Sequence, residues 1–592
     1  MYQNIYLKQI NYNHYNVHLW DDEKGHQVFE WRKTAFVPDP YGEYTSLDGT
    51  KCKKTTYYHD APQAYEKDVP NDTQLLVELY GHTDEPAKWQ NRFYFDIEVS
   101  MEGQLPDPNE GNNPITSVAY YDETTQEYGV YIIDEFNEVE NRITDDYKLF
   151  RCDTEEELLD KFFSKWRECA PTVVTGWNID FFDIPYLYNR AKRVMGTTFA
   201  NNLSPIGVVE YNNRKERYFI AGVSCLDYLP IYKNFTYTQL SSYRLDNVGE
   251  FELGQGKVEY EGTLDQLKKN DIEKFIEYNL VDVKLIVDLE NKLKFLEQSI
   301  GIASVGHVPY ENIYSSSRFL EGSILCYLRR NGNKVADNRP PRTDSEGTFM
   351  GAYVKQPKPG RYDYIFDLDL TSMYPSIIMS LNISPETKVG KVLDWDFKEY
   401  SSGKLTNIKV EIINDGVYDF DKEGFGEFLN DTKFSISSNG ILYRTDIDGI
   451  IPKILRTWFD QRVEFKNLMK KYGNEGNDAQ YEYYKSRQII QKVLLNSIYG
   501  CLGLKGWRWY DVDNALAVTS VGQEVIKFSS DMANHYYNKL LGNSIELETD
   551  EGTVFAFEEV MYNVKRNGET ITIFGKELEE VDEIISGFIH KN

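Results

Sequence analysis

Asp96 and Glu98 interrupt an otherwise apolar run, Phe93 to Val99, two residues apart. The run predicts a strand, and a strand's period of two sends both carboxylates from one face. One face with two carboxylates can hold a hard divalent cation such as Mg²⁺. Two more acidic strings follow, Asn178-Ile179-Asp180-Phe181-Phe182-Asp183 and Tyr278-Asn279-Leu280-Val281-Asp282. Asp183 comes after two phenylalanines that would shield it in part from water. Tyr278 and Asp282 lie four apart on a helical pattern and share a face. Gathered together, Asp96, Glu98, Asp183 and Asp282 can hold two metal ions about 4 Å apart, one generating hydroxide and one stabilising a leaving oxygen. Tyr278 can orient the attacking water. Any one string alone also reads as a strand or helix with ordinary exposed acids; three in this order and spacing do not.

A second constellation lies downstream. Asp369 falls near the end of an apolar strand candidate, Tyr364 to Leu370, with Asp367 on the same face. A carboxylate at a strand end beside a sharp turn can hold a metal over which a triphosphate sits. Backbone N–H groups of the following turn, Ser372, Met373 and Tyr374, can help bind the phosphates. Lys492, Asn496 and Tyr499 fall at i, i+4 and i+7 and make one helical stripe. Lys492 can neutralise a triphosphate, and Asn496 and Tyr499 can meet base and sugar. Arg462 and Lys466, four apart on the preceding helical run, add positive charge. The alternative is a solvated basic helix face, against which stand the small residues of Asn496-Ser497-Ile498-Tyr499-Gly500, which permit close approach.

The totals bound the rest. At 592 residues the chain should hold roughly three to five domains. Its 94 acidic against 65 basic residues give a net charge of −29, which argues against indiscriminate nucleic-acid binding. A basic groove can still sit on an acidic body. Many of the 45 tyrosines should be core or rim residues, though surface ones can stack on bases. The six cysteines, Cys52, Cys152, Cys169, Cys225, Cys326 and Cys501, form no CxxC pair, so neither a zinc site nor a disulfide framework is expected, in keeping with a reducing cytoplasm. The N-terminus has no apolar signal region, and no membrane span is expected.

Residues 1 to about 90 alternate polar and apolar residues and predict a small β-rich region. From about 91 to 294, strand-like runs alternate with helical ones at Glu155–Cys169 and Asp271–Leu296, an α/β pattern. A helical stretch from Ser315 to Arg330 leads into a linker at Asn338–Arg342. A second α/β section begins near Gly351. Helical patterns at Pro452–Tyr472 and Asp478–Cys501, separated by Gly473-Asn474-Glu475-Gly476, predict a helical hairpin.

These strings resemble family B DNA polymerases, most closely those of T-even-type bacteriophages. Phe95–Glu98, Gly176–Asp183 and Tyr278–Asp282 look like the three exonuclease motifs. Asp369–Ile378 looks like polymerase motif A and Lys492–Gly500 like motif B. Gly351–Val354, Asn382–Thr387 and Trp509–Ala515 extend the similarity, which runs from about 90 to 542. The resemblance implies a multidomain α/β and α+β fold, with an RNase H-like exonuclease domain followed by a palm and helical-hairpin fingers. It divides the chain into an N-terminal domain (1–90, with 295–340 packing back on it), an exonuclease domain (91–294), palm (341–448), fingers (449–504) and a second palm part (505–592) with an atypical tail from about 543. It implies DNA-directed DNA synthesis with 3′→5′ proofreading by two-metal chemistry, with two Mg²⁺ or Mn²⁺ ions per active site. Asp96, Glu98, Asp183 and Asp282 become the proofreading ligands and Asp369 a ligand for synthesis. Tyr374 becomes the steric gate against a ribose 2′-OH, and Arg462, Lys466 and Lys492 hold the incoming triphosphate. Primer–template DNA and dNTPs are the implied partners, with a sliding clamp and other replisome proteins, in the cytoplasm of a host cell.

The resemblance has departures. The family's second polymerase aspartate lies in an Asp-Thr-Asp string, and here the match is Glu548-Thr549-Asp550, with Glu548 and Asp550 as candidate metal ligands. The family's thumb has no counterpart before Asn592, so the expectation is a split polymerase whose thumb lies on a second polypeptide. The rivals are an exonuclease with an inactive polymerase module, a DNA-binding assembly subunit inactive until its partner joins, and a polymerase fragment interrupted by an intein-like element at Ile545–Ile585.

Overall fold

In a computed structural model the described residues are 1–61, 63–236, 238–341, 351–357, 359–361 and 369–542, with four strands between Ser544 and Phe574; side chains are described as far as residue 535. The chain forms two compact units, Met1–Gly347 with Ile378–Lys388 and Arg444–Ala515, and Thr348–Ile377 with Val389–Tyr443 and Leu516–Asn592.

The first unit opens with an antiparallel sheet of Tyr2–Asn11, His14–Asp21 and Gly25–Arg32. A smaller sheet of Ala35–Pro38, Tyr44–Ser46 and Lys51–Thr55 gains a parallel strand from Lys334–Val335. The first 90 residues are not all β: Asn71–Tyr80 is a helix, because Leu75, Leu76, Val77 and Tyr80 bury one turn-spaced side of it.

The centre of this unit is a seven-stranded mixed sheet with Arg92–Val99 inside it, antiparallel to Ile115–Asp122 and parallel to Val173–Thr175. Alternation divides that strand between two surroundings. Phe93, Phe95, Ile97 and Val99 enter an apolar core with Leu158, Leu159, Phe162, Phe163 and Trp166 of the helix Glu155–Cys169. Thr154 caps that helix by accepting from Glu157 N. Asp96 and Glu98 leave the other face, the one covered by the helix Ile272–Leu293. The pattern from Asp271 to Leu296 predicts one helix, but the chain turns at Lys294, which is left-handed with φ of 57°. A second helix, Phe295–Gly306, starts there, and the Glu290 carboxylate accepts from Leu296 N at 3.0 Å and Glu297 N at 3.3 Å. Those two N–H groups would otherwise be orphaned at a helix start.

The helical hairpin consists of Ile450–Asn474 and Asp478–Leu502. It packs closely on the helix Phe295–Gly306 at Gly301, where an added Cβ would lie 2.4 Å from Ile490 Cδ1. After the hairpin, Arg508 is buried and tied to distant segments. Its guanidinium donates to Glu321 at 2.7 Å and to Asp68 at 2.8 Å. All six cysteines are free and buried.

The second unit contains a five-stranded sheet in the order Gly416–Phe420, Ile408–Ile412, Lys388–Leu393, Ile441–Arg444, Phe434–Ile436. Val392, Ile408, Val410, Leu442 and Phe425 of the helix Lys422–Thr432 form its core. A long helix, Val512–Gly542, precedes two antiparallel hairpins, Ser544–Thr549 with Gly552–Phe557 and Met561–Arg566 with Glu569–Phe574. Among the described residues, no helix is long and apolar enough to cross a membrane.

The Arg508 clamp gives a stability test. Arg508→Met removes one of the two guanidinium partners of the buried Glu321 carboxylate and leaves Arg339, and the expected loss is about 1.5–3 kcal/mol, read from urea denaturation. The double variant Arg508→Met with Glu321→Leu should recover much of it.

Candidate active site

Three of the four acids of the first constellation meet, and Asp183 lies beside them. Carboxylate oxygens of Asp96, Glu98 and Asp282 all lie within 4.8 Å of one another. Asp96 and Glu98 are presented by the sheet, opposite Ala119 and Ser117 in the ladder. Asp282 reaches them from the buried side of the helix Ile272–Leu293. Asp183 is the first residue of the helix Asp183–Met195, where a negative charge is favoured by the helix dipole. Its Oδ1 accepts from Ile97 N at 3.2 Å, between Asp96 and Glu98 on the strand.

Like charges in a dry place resist ionisation. Burial first, then Asp183, Asp282 and Glu98, hold the Asp96 carboxyl well above the usual carboxylate range. Burial and Asp282 push Glu98 up to about 8, and burial pushes Asp183 up to about 7. Burial raises Asp282 as well, against the pull of Lys257. The Asp282 Oδ1 atom is buried without a hydrogen-bond partner. A carboxylate set of raised proton affinity with an orphaned oxygen fits a hard divalent cation, which takes oxygen ligands and removes the repulsion.

Three residues that the sequence reading passed over build this site. Lys257 is ion-paired with Asp282, and its ammonium lies 3.4 Å from the Tyr278 hydroxyl and 5.2 Å from the Tyr278 ring centre. Burial disfavours the ammonium, but Asp282 and Asp96 hold it charged. Lys257 lies between the helices Leu245–Leu253 and Leu264–Asn270, outside any periodic pattern, so nothing in the sequence marks it. Asn279 is fully buried; its Nδ2 donates to Asp96 Oδ2 at 2.8 Å, and its Oδ1 accepts from Ser117 Oγ at 2.8 Å. Its only signal was its place between Tyr278 and Asp282. Asp227 accepts from the backbone N–H groups of Asn178 at 2.9 Å and Asp180 at 3.2 Å, and so holds the turn that delivers Asp183.

The residues of the second constellation belong to both units. Asp369 is exposed, ahead of the helix Met373–Leu381. Ser372 is left-handed with φ of 50°, and its carbonyl accepts from Ser376 N at 2.9 Å, which makes the turn before that helix. Met373 is half-buried, and so is Tyr374, whose ring lies against Gly522, where a Cβ would come within 3.1 Å of it. Arg462, Lys466 and Lys492 line a cavity of about 530 Å³. Asn496 and Tyr499 share the Lys492 helix but are not among its lining residues; Asn496 is exposed and Tyr499 half-buried. Asp367 and Asp550 lie outside the described residues, and Glu548 is placed only as backbone, on the strand Ser544–Thr549 opposite Thr553.

Residues 64–248 match the family model "DNA polymerase family B, exonuclease domain", and residues 314–565 match "DNA polymerase family B". The DNA-directed DNA polymerase of Escherichia phage RB69 is 29% identical over 530 residues, covering 76% of this chain and 56% of the relative. That of Enterobacteria phage T4 is 28% identical over 528 residues, with the same two shares. DNA polymerase 2 of Aeropyrum pernix is 26% identical over 482 residues, 80% of this chain and 51% of the relative. The chain thus spans little more than half the length of these relatives.

The raised carboxyls predict how the metal-free fold responds to pH. With Glu98 near 8 against an ordinary 4.5, and Asp183 near 7 against 3.8, the folded chain keeps protons that the unfolded chain has released. Stability from these groups is present below their unfolded values and is lost as pH rises through about 7 and 8. Melting in the presence of a chelator should fall across that window. Added Mg²⁺ should raise the melting temperature more at its upper end than its lower, and Asp282→Asn should remove most of that response.

Proposed function

Since the chain belongs to DNA polymerase family B, we propose that its acidic centre is a 3′→5′ proofreading exonuclease site within a DNA-directed DNA polymerase. The observation that carries the nuclease reading is the convergence of Asp96, Glu98 and Asp282 with Asp183 beside them. Mg²⁺ or Mn²⁺ held by these four would supply the positive charge that ionises an attacking water and stabilises a leaving oxygen. The protein's own groups do the rest. Asn279 fixes one oxygen of Asp96 and leaves the other for a ligand. The backbone of Ile97 does the same for Asp183. Tyr278 orients the water, and Lys257 keeps Asp282 ionised and aimed.

For synthesis, Asp369 holds a metal and the Ser372–Met373 turn receives phosphate. Tyr374 excludes a ribose 2′-OH. Arg462, Lys466 and Lys492 bind the triphosphate, with Asn496 and Tyr499 toward the base and sugar. Glu548 and Asp550 supply the second metal ligands. DNA synthesis is expected to depend on the family's remaining length, thumb included, whichever polypeptide carries it. A sliding clamp, other replisome proteins and the cytoplasm of a host cell complete the proposal. A nuclease with an inactive polymerase module is the second reading, favoured by glutamate at position 548 where the family's string has aspartate.

Labelled primer–template and Mg²⁺ separate them. Without dNTPs the primer should shorten, and Asp96→Ala should abolish this; unchanged shortening in that variant would sink the nuclease assignment. Asn279→Ala should slow shortening by about 10- to 100-fold, as loss of a partner that orients a metal ligand does. Growth with dNTPs once the remaining family segment is added supports the polymerase, and shortening alone under every condition supports the nuclease-only reading.

A further inference from the structure

The cavity lined by Arg462, Lys466 and Lys492 has a second wall. The corner between the helices Ile272–Leu293 and Phe295–Gly306 contributes Lys292 and Lys294 to it. Two of the cavity's lysines are balanced locally: Lys292 pairs with Glu252 and Lys485 with Glu482, each at 3.0 Å. Lys294 and Lys466 are not. Among the described residues neither makes an ion pair or a side-chain hydrogen bond. Burial, Arg462, Lys470 and Lys492 pull the Lys466 ammonium below its ordinary range, although Glu297 and Glu482 also line the cavity.

Such crowding is unusual on a chain of net charge −29. Six cations against two acids around one concavity set up a local positive potential that draws an anion. The two walls are held at fixed spacing by packing, since Gly301 lets the helix Phe295–Gly306 touch Ile490 of the hairpin. The left-handed backbone at Lys294 is what ends one helix and starts the other, so it sets where this lysine leaves the chain. A cavity of about 530 Å³ suits a small ligand rather than a polymer.

We propose that this cavity binds the polyphosphate tail of a nucleoside triphosphate between two walls, and that Lys294 is a binding residue on the wall opposite the hairpin. The proposal rests on the triphosphate reading of Arg462, Lys466 and Lys492 and adds a residue from outside the polymerase motifs.

The test is calorimetric titration of inorganic tripolyphosphate into the purified full chain without divalent ion. Lys294→Asn is the chosen variant, because asparagine tolerates left-handed backbone. It should weaken binding about 10- to 150-fold, the range for one charged hydrogen bond, and Lys294→Arg should restore it. Lys466→Ala and Lys492→Ala should weaken it as well, and Lys404→Asn, an exposed charge elsewhere, should not. Primer shortening checks that each variant is folded; if Lys294→Asn fails that check, Lys294→Gly takes its place. Weakening by Lys466→Ala and Lys492→Ala with none by the Lys294 variant overturns this inference and leaves the triphosphate site standing. No binding by the unaltered chain, or none that any of these variants changes, overturns both.

Discussion

Four carboxylates brought into one dry place repel one another, and the first unit is organised around tolerating that repulsion. The strand Arg92–Val99 shows how. One of its faces is sunk in the apolar core around Phe162 and Trp166, which anchors it, while the other holds Asp96 and Glu98 against a buried helix. Without that anchorage the acids would splay into water, where ionisation is cheap. The hydrogen bonds follow the same logic: Ile97 N to Asp183, Asn279 to Asp96 and Lys257 to Asp282 each pin one oxygen of one acid. The buried Oδ1 of Asp282 is left over. A site that fixes one oxygen on each of three acids and leaves Asp282 Oδ1 buried without a partner is built to share oxygens with a cation.

The same residues show where reading the sequence succeeds and where it stops. Period-two alternation is local, so it places Asp96 and Glu98 on one face before any fold is known. Helical spacing likewise brings out Tyr278 with Asp282, and Arg462 with Lys466. Convergence of those pieces is tertiary and was supplied by their resemblance to a family, not by periodicity. Lys257 has no such support: it lies in an irregular segment and earns its place only by the fold around it. The break at Lys294 was missed for a related reason. No glycine or proline marks it, and the helix pattern continues across it, because the Glu290 carboxylate caps the new helix from six residues before Leu296. Asn71–Tyr80 was hidden inside a β-rich stretch by its short length.

Charge is distributed by task. The chain is acidic overall, and its acidic centre deepens that bias, yet the hairpin and the corner at Lys294 gather cations in a single cavity. Anionic ligands approaching such a body meet general repulsion, which a cavity rich in cations offsets locally. The two kinds of site need opposite surroundings. The carboxylates need burial to sharpen their demand for a cation, whereas the lysines need enough water to stay charged while waiting for an anion.

Arg508 and Asp68 are 440 positions apart in the chain, and their ion pair is direct. A ribosome adding roughly 5–20 residues each second needs roughly 20–90 s to travel between them. Glu321 is made partway through that interval and finds the Arg339 guanidinium soon after, whereas the Asp68–Arg508 pair waits for its end. The opening sheets can form early, but the seam that closes them waits for a residue made long afterwards. Birth order thus leaves this one tie between the chain's start and its later helices to be made when synthesis is well advanced.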